Sequence, residues 1–141
     1  MRRQNKIIKT FYTILILMTV IFASASCTQP QNAEKVVKGF FKEFETSNFD
    51  QMKQYCTDSF VKDYFHDGDV YSIKNATLKK CDKYQKPSDY ADNLECYYVT
   101  VSGEITDNSS LDKDSNEYSF FIVLENNDNC EWKIQNFYSG L

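Results

Sequence analysis

The chain has little of what most often carries metal chemistry or nucleic-acid binding. It holds one histidine, and no two of its 5 cysteines lie two to four positions apart. That spacing excludes a structural zinc site. It has no excess of positive charge, with 16 Lys and Arg against 20 Asp and Glu. Few cations are therefore left to release counterions from phosphates, so no nucleic-acid partner is expected. An apolar stretch of the roughly 20 residues that a spanning helix needs is also missing. The main apolar run, FYTILILMTVIFASASC at residues 11–27, is shorter and ends in small residues. No internal repeat or heptad is present.

What surrounds that run gives it a meaning. Arg2, Arg3, Lys6 and Lys9 precede it without any acid, the order of an export signal. Ala25, Ser26 and Cys27 resemble the lipobox of bacterial lipoproteins, in which the cysteine receives diacylglycerol and becomes the mature N-terminus. Ser24 departs from that pattern, standing where leucine is usual. Ala23-Ser24-Ala25 also satisfies the small-x-small rule for cleavage before Ser26, which would release a freely secreted protein. Cysteine parity favours the lipid: taking Cys27 away leaves Cys56, Cys81, Cys96 and Cys130, whereas ordinary cleavage leaves an odd thiol. The expectation is a signal peptide at 1–26, a lipidated polar tether at 27–31 and one domain at 32–141, on the outer face of the cell membrane.

Removing residues 1–26 leaves 115 residues, enough for one core. The mature charge becomes −8, against −4 for the whole chain. An acidic domain is repelled by anionic lipid, so membrane attachment rests on the lipid anchor. The four remaining cysteines allow three pairings. Cys81 and Cys96 would meet across a hairpin, and Cys56 and Cys130 would tie the helices to the last strand. Buried free thiols are the other reading.

Asn32 opens a helix in which Ala33, Val36, Val37, Phe40, Phe41 and Phe44 recur at three- and four-residue spacing. A second helix over 49–56 and a short third one carrying Phe60, Val61, Tyr64 and Phe65 follow. His66-Asp67-Gly68-Asp69 reads as a loop. Strands are expected at 75–84, 94–105, 117–125 and 130–138, with polar connections between them. The strands at 94–105 and 117–125 are apolar on both parities, the pattern of strands covered on both faces. Helices first and antiparallel strands after define an α+β domain.

This order resembles the nuclear-transport-factor-2-like fold, and more narrowly the small bacterial lipoproteins that carry it. The resemblance rests on Val36-Val37-x-x-Phe40-Phe41, the aromatic segment at residues 60–65 and Glu131-Trp132-Lys133-Ile134. It implies a cone, with N-terminal helices packed on a curved antiparallel sheet, often around a pocket. Phe40, Phe44, Tyr64, Phe65 and Trp132 would line that pocket. It also implies that the outer face of the sheet is often covered by a second copy or a partner protein. The fold hosts enzymes, carriers and structural domains alike, so it does not choose among them.

No cofactor is expected. His66, flanked by Asp63, Asp67 and Asp69, is the one weak catalytic candidate, as the base of an isomerase or dehydratase. The same residues also fit a solvated helix end. Asp112-Lys113-Asp114-Ser115-Asn116 starts like a calcium loop, but Glu117 replaces the required glycine and Val123 the bidentate glutamate. Asn75-Ala76-Thr77 and Asn108-Ser109-Ser110 match glycosylation acceptors, which a bacterial lipoprotein would not use. The functional expectation is a non-catalytic extracytoplasmic domain that binds a protein partner or small ligand. A pocket enzyme using His66 and a small-molecule carrier are the alternatives.

Overall fold

The computed structural model describes residues 32–85, 91–107 and 109–139. The expected signal peptide, Cys27 and the tether lie outside the described residues. Helix α1 (Ala33–Glu45) is capped by Asn32, whose side-chain oxygen accepts the Glu34 N–H at 2.8 Å. Its stripe Ala33, Val36, Val37, Phe40, Phe41 and Phe44 is fully buried, as the spacing predicts. Two shorter helices follow, α2 (Phe49–Lys53) and α3 (Asp58–Tyr64). Thr57 caps α3, its hydroxyl accepting the Phe60 N–H at 3.2 Å.

Helix α2 ends three residues earlier than expected because its tail is used elsewhere. Ile134 donates its N–H to the Tyr55 carbonyl at 2.8 Å and accepts the Thr57 N–H at 2.9 Å. Cys56 thereby makes a parallel bridge to Ile134. That bridge occupies backbone groups of an edge strand that would otherwise be open to another chain.

Six antiparallel strands run in chain order: β1 (Phe65–His66), β2 (Asp69–Val70), β3 (Ile73–Tyr84), β4 (Leu94–Ile105), β5 (Tyr118–Asn126) and β6 (Trp132–Tyr138). The expected loop at 66–69 is a small hairpin turning at Gly68, with His66 opposite Asp69. Strand β3 starts two residues early, at Ile73, directly after a tight turn. Gly103 permits that start, since a Cβ there would lie 2.6 Å from Ile73 Cγ2 and 3.0 Å from the Lys74 carbonyl. The class is α+β.

The space between α1 and the sheet is filled by phenylalanine. Phe40 stands edge-on to Phe41 at 5.2 Å, to Phe44 at 5.7 Å and to Phe137 at 5.9 Å. Phe60 meets Phe137 at 5.1 Å, and Phe120 stacks on Phe137 at 5.9 Å. All six rings are at most 3% exposed. Edge-on and offset contacts of this kind add to the burial term rather than replace it.

Candidate functional site

The five aromatic residues expected to line one pocket are distributed among different surroundings. Phe40 and Phe44 belong to the solid core. Phe65 is half-buried against Phe49 and Phe60. Tyr64 stacks on Phe60 at 4.7 Å and donates its hydroxyl to Asn136 Oδ1. Burial, with Tyr138, Tyr71 and Asp63 nearby, raises the Tyr64 hydroxyl above the usual tyrosine range. Trp132 lines a separate cleft of about 460 Å³ at the far end of the sheet, with Lys83, Tyr84, Gln85, Asp92, Leu94, Glu95 and Cys96.

His66 sits on the outermost short strand, with its imidazole 66% exposed. Its Nδ1 lies 3.8 Å from Asp69 Oδ1, beyond hydrogen-bonding distance. That oxygen instead accepts the Ser72 N–H at 3.1 Å. Two clefts meet at His66. A polar one of about 470 Å³ is lined by His66, Asp69, Ser72, Lys74, Thr106 and Asp107. A smaller one of about 200 Å³ adds Tyr64, Tyr71 and the serines 109 and 110.

The second notable surface is the face of the sheet turned away from α1. Register aligns Tyr84, Cys96, Val123 and Asn136 in one row, and Asp82, Tyr98, Phe121 and Tyr138 in the next. Phe121 is flanked by Tyr84 at 4.9 Å and Tyr98 at 5.0 Å. Among the described residues, Tyr84 and Tyr138 are the large hydrophobic residues that stand exposed, at 40% and 39%. Cys96 and Val123 are buried without belonging to the helix-side core. Of the charges on this face, Lys80 and Asp82 pair with each other at 2.5 Å, and Glu125 accepts the Gln135 side-chain N–H at 2.9 Å.

All four described cysteines are free thiols, and the register shows why the hairpin pair does not form. Cys81 lies opposite Val99, on the helix side, whereas Cys96 lies opposite Tyr84, on the other side. A one-residue difference in parity puts neighbouring strand positions on opposite faces. Cys56 is buried and points its thiol at the Met52 carbonyl at 3.4 Å, while Cys130 is exposed in the β5–β6 turn. Burial pushes the Cys81 thiol up to about 11 and the Cys56 thiol further still. Neither is poised as a thiolate nucleophile.

Among the described residues, no three His, Cys, Asp or Glu side chains converge as a metal site, and no helix is long and apolar enough to cross a membrane. In the calcium-like segment, Tyr118 organises the loop by donating to the carbonyls of Asp112 at 2.9 Å and Ser115 at 2.6 Å. Tyr71 and Ser72 are the site residues that sequence patterning misses. Both hold positive φ, 54° and 60°, in a turn without the Asn-Gly signature of such geometry.

The fold and these surfaces define an α+β domain with a filled helix side and an aromatic outer sheet face. No protein-family model, curated protein or solved structure matches the chain.

Proposed function

We propose that the chain is a non-catalytic binding domain, exported and held on the outer face of the cell membrane by a lipid on Cys27. Its helices and sheet form a closed variant of the nuclear-transport-factor-2-like cone, and its partner is a protein that docks on the outer sheet face. One observation carries this reading: Tyr84, Tyr98, Phe121 and Tyr138 make an aromatic surface that no helix among the described residues of 32–139 covers. Tyrosine-rich surfaces with paired or absent charge have the composition of interface centres. The reading is preferred to a pocket enzyme using His66, or to a carrier, because the imidazole faces solvent and phenylalanine fills the interior.

A photo-crosslinking residue placed at Tyr138 in cells producing the full chain tests this. Illumination is expected to give a defined protein adduct from Tyr138 and none from Lys42, on the exposed side of α1. An adduct of twice the chain mass identifies a second copy as the partner. Equal capture from both positions, or none from Tyr138, overturns the proposal.

A further inference from the structure

The tight turn between β2 and β3 is built against its own sequence. Val70 pairs with Ile73, leaving Tyr71 and Ser72 as a two-residue loop with both φ positive. Asparagine and glycine are the residues suited to that loop, and a tyrosine there is a genuine outlier. The surroundings over-determine it. Tyr71 donates its N–H to the Tyr64 carbonyl at 3.0 Å, Thr106 donates to the Ser72 carbonyl at 3.0 Å, and Asp69 Oδ1 accepts from Ser72 N–H at 3.1 Å. The Tyr71 ring is wedged 5.4 Å from Phe120, 5.6 Å from Tyr64 and 6.1 Å from Phe137. A strained loop held this firmly is a place to look for a ligand.

What the loop presents is a groove formed by the two clefts that share His66 and Ser72. Its smaller end is lined by Tyr64, Tyr71 and Leu111 beside serines, and its larger end by charged and hydroxyl groups. The polar groups are the carboxylates of Asp69 and Asp107, the latter 3.7 Å from the Lys113 ammonium, the ammonium of Lys74, and hydroxyls from Ser72, Thr106, Ser109 and Ser110. An apolar ligand would strip water from these groups without replacing its hydrogen bonds. A phosphate would face two carboxylates, and a metal ion would face the lysine. A ring that carries hydroxyls on its edge and C–H groups on its face satisfies both kinds of wall, since hydroxyls both donate and accept. We propose that this groove binds a neutral sugar unit, stacked on Tyr71 and hydrogen-bonded by Asp69, Asp107 and the neighbouring hydroxyls.

His66 is the sole histidine, so its imidazole proton resonances report on the groove without ambiguity. The full chain, purified in detergent, would be titrated with maltotriose, with N-acetylated chitotriose and with inorganic phosphate. At least one saccharide is expected to shift the imidazole resonances saturably, with a dissociation constant of about 1 mM. Asp69→Asn preserves the acceptor for Ser72 and should weaken binding about tenfold, a loss in the range for a hydrogen bond to a charged group. Asp107→Ala, at a fully exposed position, tests the opposite wall without endangering the fold. Imidazole resonances that no saccharide moves, a shift of equal size with phosphate, or unchanged affinity in both variants would overturn the proposal.

Discussion

The two faces of one sheet are treated differently by this chain. On the helix side, six phenylalanine rings are closed off by α1 and α3, and each touches at least one of the others. On the other side, four aromatic rings lie beside Cys96 and Val123, and no helix among the described residues covers them. Both faces are apolar by composition. The difference lies in whether the described helices supply the cover, and so which face they leave to meet something else. An aromatic residue on the first face acts on stability; one on the second acts on association.

Truncation separates the two roles most sharply. Phe60→Ala removes a ring packed against the four rings of Phe40, Tyr64, Phe65 and Phe137 and is expected to cost about 3–5 kcal/mol in urea unfolding. Phe121→Ala removes a ring of similar size from the outer face. It should cost only about 1 kcal/mol, the worth of its aromatic pairs, while abolishing the crosslink at Tyr138. Equal losses from the two would erase the distinction between the faces.

Smaller effects sharpen the picture at the edges. Ser72→Gly accepts φ of 60° without strain and should stabilise the fold by about 1 kcal/mol. Its thermal midpoint would then rise. A pH effect belongs to the helix side. Cys81 is held protonated by burial, its value rising from 9.0 to about 11. Above pH 9 the unfolded thiol loses its proton while the folded one keeps it. The Cys81 contribution should therefore be lost as pH rises from about 9 to 11, on top of the loss from the more deeply buried Cys56, and Cys81→Ala should reduce the slope in that window without abolishing it. A denaturation series across this window checks it.

Much of the helix side was legible in the sequence. The three- and four-residue spacing of Val36, Val37, Phe40, Phe41 and Phe44 has one physical solution, an amphipathic helix on an apolar surface. Apolar residues on both parities of β4 and β5 likewise announced a sheet that carries apolar side chains on both faces. The pairing of Cys81 with Cys96 was misread because register is set by every contact along the hairpin, and one residue of slip moves a side chain to the opposite face. The hairpin at His66 and the turn at Tyr71 and Ser72 were missed for a different reason. Their conformation is imposed by Phe120, Phe137 and Tyr64, residues distant in sequence, and no local propensity would select a tyrosine there.

The most direct test of the account is hydroxyl-radical footprinting of the aromatic residues, compared between intact cells and the purified chain. Tyr84, Phe121 and Tyr138 should be oxidised several-fold more slowly in cells, where the partner covers them, while Tyr55 on the helical side reacts alike in both. Identical rates for the outer-face rings in the two settings would show that nothing docks there, and would contradict the account.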